Sequence, residues 1–189
     1  MLFAGELALN GEVRPINGIL PIAMYAHKHG IKTLFVPTNN AIEAKLIKEL
    51  DVYPVNNLSE LTQHLQGVKL LEKTAETNFD FTNTDILFDM AHIRGQEHVK
   101  RAMEIVAAGG HNLLMSGPPG SGKTLIARTM PSILPNLSLE ESLELTKIYS
   151  VAGKLASDRS LISSRPFRSP HHTASGVALV GGGTWPRPG

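Results

Sequence analysis

The chain has 189 residues and 42% hydrophobic content, which suits a folded protein of one large domain or two small ones. No apolar run approaches the length that crosses a bilayer, and the first residues carry no export signal. The absence of cysteine excludes disulfide scaffolds and thiolate metal sites and fits a reducing compartment. We therefore expect a cytoplasmic protein with no membrane partner.

The formal net charge is +1, but the charge is unevenly distributed. Residues 151–189 contain five Lys or Arg and a single Asp, so the carboxyl end is the basic end of the chain. A basic stretch of this kind is suited to an anionic partner.

The first third of the chain predicts an α/β fold. Residues 2–14 resemble a β-hairpin turning at Asn10-Gly11. The hydrophobic pattern then alternates between helix and strand spacing: helix over 19–29, strand over 32–36, helix over 40–50, strand over 52–55, and a helix that Asn57 and Glu60 cap.

Three segments of this region resemble the later half of the Lon-type proteolytic domain, whose fold is related to ribosomal protein S5 domain 2. The segments are Gly5-Glu6-Leu7, 11–18 and 30–37. Lon-type proteases place a catalytic Lys shortly after the turn that matches Asn17-Gly18, where this chain has Leu20, and the upstream serine segment is absent. The resemblance thus implies a partial Lon-like domain over 1–67 with a structural or regulatory role.

A polar segment, 68–89, predicts a linker, and we expect a second domain over 90–189. A helix is predicted from Glu97 to Ala108, with Gly109-Gly110 as its stop. A later helix carries an apolar stripe that we expect to face the core, formed by Leu139, Leu143, Ile148 and Val151.

A phosphate-binding loop is the most informative motif. A short apolar strand is predicted over 112–116, and a helix follows the loop as far as Met130, where Pro131 ends it. Gly117, Gly122, Lys123 and Thr124 match the G-x-x-x-x-G-K-[ST] pattern. The strand before the loop and the helix after it are the context that this motif requires, so we predict a nucleoside triphosphate site.

Each residue type in the loop has a physical role. Glycines let backbone N–H groups converge on a phosphate, and the start of the helix favours negative charge. Lys123 is the predicted catalytic cation for the β- and γ-phosphates, and the Thr124 hydroxyl is placed to bind Mg²⁺. The predicted ATP-binding loop consists of Gly117, Pro118, Pro119, Gly120, Ser121, Gly122, Lys123 and Thr124.

Beyond this loop, the chain resembles AAA+ ATPases, and more closely the magnesium-chelatase-like family to which ComM and YifB belong. The matching residues are 93–96, 107–124, 148–153, 165–175, Gly181-Gly-Gly and 186–189. The resemblance implies ATP and Mg²⁺ as cofactors, Ile93 and Gln96 beside the adenine, and self-assembly into a hexameric ring.

These ATPases also need an apolar strand ending in Asp-Glu, which helps hold Mg²⁺ and orients the attacking water. No such run follows Thr124. We therefore expect a chain truncated at both ends, with a truncated AAA+ domain that does not turn ATP over by itself.

Three functions remain open from the sequence. The resemblance implies a motor that remodels DNA, as a helicase or in branch migration, and basic residues between 165 and 187 are suited to phosphates. The predicted nucleic-acid contacts are Arg165, Arg168, His171, His172 and Arg187, although the same stretch also fits a structural element. The alternatives are a chelatase-like ATPase that drives metal insertion through a protein partner and a nucleotide-dependent regulatory scaffold.

Overall fold

The computed structural model describes residues 1–76, 87–155 and 160–182. They form two compact units. The first contains residues 1–76, 140–155, 160–162 and 174–182, and the second contains residues 87–139 and 163–173. The chain thus returns to the first unit at residue 140, while the division into domains 1–67 and 90–189 with a linker over 68–89 stays a prediction.

A parallel sheet organises the first unit, which agrees with the predicted α/β class. Its strands are β1 (Leu2–Phe3), β4 (Thr33–Pro37) and β5 (Asp51–Val55), in the order β1-β4-β5. In this register Phe3 lies beside Phe35, and Phe35 lies beside Tyr53.

The predicted hairpin is present but shorter than expected. Its strands are β2 (Glu6–Leu7) and β3 (Val13–Arg14), which pair antiparallel. The prediction that the hairpin begins at Leu2 is wrong, because Leu2 and Phe3 pair with β4 instead. The alternating pattern of residues 2–9 predicted a hairpin strand, but its first residues pair instead with the parallel strand β4, which is 32 positions away in the sequence.

Three helices cover the sheet of the first unit. They are α1 (Ile19–Lys28), α2 (Ala41–Ala44) and α3 (Leu58–Leu65). The predicted cap of α3 is confirmed, since the Asn57 side chain accepts a hydrogen bond from the Glu60 amide at 2.9 Å. The core of this unit consists of Ile19, Ala23, Ala26, Leu34, Val36, Ala41, Ala44, Leu50 and Val52.

Helix α7 (Leu139–Val151) packs in the first unit through a polar face. The predicted apolar stripe is wrong in its orientation, because Leu139 and Ile148 are about half exposed. Ser142, Thr146 and Ser150, spaced by four residues, are buried instead. Small hydroxyl side chains allow this close packing, and that of Thr146 bonds to nearby groups: Thr146 Oγ1 donates to the Ser142 carbonyl at 2.7 Å and accepts from the Ile162 amide at 2.9 Å.

The second unit is built on α4 (Glu97–Gly109), α5 (Lys123–Arg128) and α6 (Met130–Ile133). The predicted α4 is confirmed, and Gly110 ends it with a left-handed φ of 61°. The hydrophobic core of the second unit centres on Ile93, Met103 and Ile126. The remaining short helix, α8 (Gly176–Val180), follows residue 173 and belongs to the first unit.

The strand predicted over 112–116 is wrong for this structure. Residues 111–118 form neither a strand nor a helix, and Leu114 is 93% exposed. A parallel strand exists only where a neighbour accepts its hydrogen bonds, and no described residue does so here. No helix in the described ranges is both long enough and apolar enough to cross a membrane.

Candidate nucleotide-binding site

The phosphate loop joins the irregular segment 111–118 to helix α5. Gly120 and Gly122 have φ values of 78° and 84°, in the left-handed region that favours glycine. A Cβ atom on either residue would meet no atom within 4 Å, so backbone conformation and not space requires glycine there. At Gly117 a Cβ would approach Ser121 Oγ at 3.3 Å, which is closer than most Cβ contacts in proteins.

Lys123 is the first residue of α5, and its ammonium group lies against the loop. The Nζ atom donates to the Gly117 carbonyl at 2.8 Å, to the Pro118 carbonyl at 2.7 Å and to Ser121 Oγ at 3.1 Å. These acceptors hold the cation where the loop backbone curves. A phosphate oxygen that binds Lys123 therefore replaces neutral acceptors with an anionic one, which gives a stronger, charge-assisted hydrogen bond.

Thr124 follows Lys123 in the first turn of α5, and its side chain is exposed. A hydroxyl oxygen is the hard donor that Mg²⁺ prefers, and the residue is adjacent to the cation of the loop. The donor chemistry thus fits the predicted Mg²⁺ role. Among the described residues, no group of three His, Cys, Asp or Glu side chains is arranged to hold a metal ion.

Gln96 caps the start of α4 and lies close to the loop. It is the one non-glycine residue in the described ranges with a positive φ, 57°, and its ψ is 39°. A side chain in this left-handed conformation raises the energy of the fold by roughly 1 to 2 kcal/mol. Backbone strain of this kind is often found at ligand-binding positions.

A cleft of about 350 Å³ brings together the loop and Gln96, one of the two residues predicted beside the adenine. Gln96, Gly117, Pro118, Ser121 and Lys123 all line it. The rest of its wall is largely apolar and includes residues that the sequence did not suggest, among them His98, Val99, Ala102, Leu113 and Met115. An apolar wall next to a cationic loop matches a nucleotide, which has a flat base at one end and phosphates at the other.

Not every predicted residue lines this cleft. Ile93 is only 9% exposed and packs with Met103 and Ile126 in the core. It supports the wall from behind through Val99, which packs against that cluster and also lines the cleft. Pro119, Gly120, Gly122 and Thr124 belong to the loop but are not among the lining residues.

Four of the five predicted nucleic-acid residues lie between positions 165 and 172, in a separate stretch of the second unit. Arg165 Nε donates to the Pro135 carbonyl at 2.8 Å, whereas Arg168 is exposed. The rings of His171 and His172 are 4.1 Å apart, and His171 Nδ1 is 2.7 Å from Thr173 Oγ1. Arg187 lies outside the described residues.

A buried polar group occupies the region of the first unit that resembles Lon-type proteases. Leu20, the residue at the position where the sequence resemblance places the catalytic Lys of those proteases, is completely buried. Its backbone amide donates to the Glu43 carboxylate at 3.0 Å, and Ser150 Oγ donates to the same oxygen. Sequence spacing gave no signal for this arrangement, because Glu43 and Ser150 are 107 positions apart.

Comparison with known proteins identifies the family. A family model described as magnesium chelatase, subunit ChlI, matches residues 89–189, just over half of the chain. The chain belongs to this family. A second model, described as subunit ChlI of Mg-chelatase, matches residues 1–40.

Several relatives of this magnesium-chelatase-like chain match it along its whole length. The uncharacterized protein Rv2897c of Mycobacterium tuberculosis is 44% identical over 189 residues, which is 100% of this chain and 37% of that protein. Competence protein ComM of Haemophilus influenzae is 39% identical over 193 residues, covering 99% of this chain and 37% of ComM. YifB of Escherichia coli is 42% identical over 185 residues, covering 98% of this chain and 36% of YifB. The chain thus spans little more than a third of these relatives.

A partial match also supports the resemblance to Lon-type proteases. Lon protease of Escherichia coli is 40% identical over 69 residues, which is 33% of this chain and 9% of that protein.

Proposed function

We propose that this chain is the nucleotide-binding part of an ATPase of the ComM and YifB kind, which couples ATP hydrolysis to DNA remodelling. The proposal depends on one observation: Gln96 and Lys123 line the same cleft. One residue is suited to the base and the other to the phosphates. Helicase action or branch migration during uptake and recombination of DNA is the activity that the family resemblance implies, and the work is proposed to take place in the cytoplasm.

The residues of the loop have distinct tasks in this proposal. The Lys123 ammonium moves from the carbonyls of Gly117 and Pro118 to the β- and γ-phosphates and neutralises charge as the terminal phosphoryl group leaves. Thr124 would hold Mg²⁺, which neutralises phosphate charge when bound. Gln96 orients the base, and self-assembly into a hexameric ring links neighbouring sites.

A matched pair of lysine variants tests the site. We expect Lys123→Ala to abolish binding of a fluorescent ATP analogue to this chain and ATP turnover by the full-length protein, because it removes the cation that lines the cleft. Lys147→Ala removes the same charge from an exposed position on α7 and is expected to leave both unchanged. Equal binding by the two variants would rule out the assigned role of Lys123.

A second candidate is a chelatase-like ATPase that drives metal insertion through a protein partner. The description of the matching family favours it. The full-length protein distinguishes the candidates by what stimulates its ATPase rate. Stimulation by branched or single-stranded DNA supports DNA remodelling, and stimulation by a chelatase partner protein supports metal insertion. Stimulation by neither would point to a regulatory scaffold.

A further inference from the structure

A second cleft of about 380 Å³ lies in the second unit. It shares no lining residue with the nucleotide cleft. Helix α5 nevertheless contributes to both, because its first residue, Lys123, lines one and its last residue, Arg128, lines the other. The second cleft is therefore a distinct feature close to the proposed ATP site.

Aromatic rings form part of its wall. Phe167 is 42% exposed and lines the cleft. Phe88 lies on the wall as well, with the guanidinium carbon of Arg128 5.4 Å from the centre of its ring. This distance is typical of a cation–π contact, which holds the arginine head at the cleft. A flat apolar surface and a cation thus occur together.

Arginine supplies all the charge on the described part of the wall. Arg128 and Arg165 line the cleft, and no described Asp or Glu does. The hydrogen bond from Arg165 Nε to the Pro135 carbonyl, 2.8 Å long, fixes the position of that guanidinium. Ser164 and Ser169 add hydroxyl groups. The cleft is therefore suited to an anion that also presents a flat, apolar face.

An unpaired nucleotide has both properties, since its base stacks on aromatic rings and its phosphate attracts arginine. In a duplex the bases stack on one another and leave no free face. The acidic side chains of a peptide carry the charge, but neither Asp nor Glu has a ring. We propose that this cleft binds an unpaired nucleotide of a single-stranded nucleic acid, with the base on Phe167 and the phosphate near Arg128 and Arg165. The proposal rests on the proposed DNA-remodelling function.

Binding of a labelled oligothymidylate to the chain, followed by fluorescence anisotropy, tests the aromatic contact. We expect Phe167→Ala to weaken binding about tenfold, the usual effect of losing one stacked base. Phe167→Tyr keeps a ring and is expected to bind like the parent. Phe3→Ala is the matched control, because Phe3 is 50% exposed in the first unit and is expected to have no effect on binding.

The salt dependence tests the arginines. We expect Arg128→Ala and Arg165→Ala each to reduce the slope of log affinity against log salt by about 0.7, the value for one phosphate contact on a single strand. Arg101→Ala removes an exposed charge on α4 and is expected to leave the slope unchanged. Binding of the fluorescent ATP analogue, measured in every variant, shows that the second unit is folded.

Three results would overturn the proposal. The first is that Phe167→Ala and Phe3→Ala bind the oligonucleotide equally well. The second is that the chain binds a duplex as tightly as a single strand. The third is that polyglutamate displaces the labelled oligonucleotide as effectively as unlabelled oligonucleotide does. The full-length protein separates this failure from that of the proposed function. If DNA stimulates ATP hydrolysis equally in the parent and in Phe167→Ala, the cleft is wrongly assigned and the DNA-remodelling function stands. If DNA stimulates neither, the DNA-remodelling function is wrong, and the binding of oligothymidylate decides the assignment of the cleft separately.

Discussion

The Ser150 hydroxyl donates a hydrogen bond to the Glu43 carboxylate in the interior of the first unit. The same hydroxyl accepts the Gly18 amide, and the carboxylate accepts the Leu20 amide, both at 3.0 Å. Leu20 lies in the first turn of α1, where amides have no acceptor within the helix. The pair therefore links α7 to the start of α1 and satisfies polar groups that water does not reach.

Replacing Ser150 by alanine is expected to destabilise the first unit. The change leaves the Gly18 amide and one bond of Glu43 without a partner, and each unsatisfied buried group costs about 1 to 3 kcal/mol. Urea unfolding followed by circular dichroism measures the loss. Ser59→Ala removes an exposed hydroxyl on α3 and is expected to change the free energy of unfolding by less than about 0.5 kcal/mol. Similar values for the two variants would contradict a structural role of Ser150.

The stability of the fold is expected to depend on pH through Glu43. Burial raises the pKa of its carboxyl above the ordinary 4.5, and hydrogen bonds from Ser150, Leu20 and Asn40 offset part of that rise. The folded state thus binds the proton more tightly than the unfolded state. This contribution to stability is complete below pH 4.5 and is lost as the pH rises through the raised pKa.

Glu43→Gln isolates this effect because glutamine does not titrate. We expect the free energy of unfolding of the parent, relative to that of the variant, to fall as the pH increases from 4 to 8. Urea titrations at several pH values give both quantities. A difference that stays constant with pH would show that Glu43 does not titrate differently in the two states.

The conformation of the phosphate loop makes a prediction about Gly122. With a φ of 84° and open space around it, Gly122→Ala is expected to cost roughly 1 to 2 kcal/mol through backbone strain. Gly30, with a φ of 71° and equally open surroundings, is a matched control in the first unit. We expect similar losses of stability in urea, but impaired binding of the ATP analogue only for Gly122→Ala. If both variants bound the ATP analogue with the same affinity, the left-handed conformation of Gly122 would not be required for nucleotide binding.

Gln96 is expected to show opposite effects on stability and binding. Gln96→Gly relieves the left-handed conformation and is expected to raise the free energy of unfolding by about 0.5 to 1 kcal/mol. The same change removes a side chain from the cleft that Lys123 also lines, so affinity for the ATP analogue is expected to fall. Gln96→Ala loses the side chain without relieving the strain, and we expect it to reduce affinity without adding stability. Tighter binding by the glycine variant would contradict the role of Gln96.

Local signals in the sequence predicted much of this structure. Glycine spacing located the phosphate loop, Gly110 marked the end of α4, and Asn57 marked the start of α3. Each of these features depends on neighbours within a few residues. Lys123 and Gln96, which the sequence assigned to one site, both line one cleft, and the binding of a nucleotide there stays a prediction.

Features that depend on distant partners were not predictable in the same way. Contacts within the first unit bury Ser142, Thr146 and Ser150. The periodicity of the helix sequence gives no information about such contacts. The segment 112–116 has strand-like composition, but composition does not supply a neighbouring strand. Phe88, Arg128 and Phe167 are far apart in sequence, so only the fold reveals that they line one cleft.

The long sequence separation between Glu43 and Ser150 also affects how the first unit folds during translation. At translation rates of about 5 to 20 residues per second, the 107 positions between them correspond to roughly 5 to 20 seconds of synthesis. The β1-β4-β5 sheet is completed early in that interval, once Val55 has been added, but the carboxylate that α7 will cover still has no hydroxyl partner. A nascent chain is therefore expected to acquire protease resistance in the first unit only after α7 leaves the ribosome.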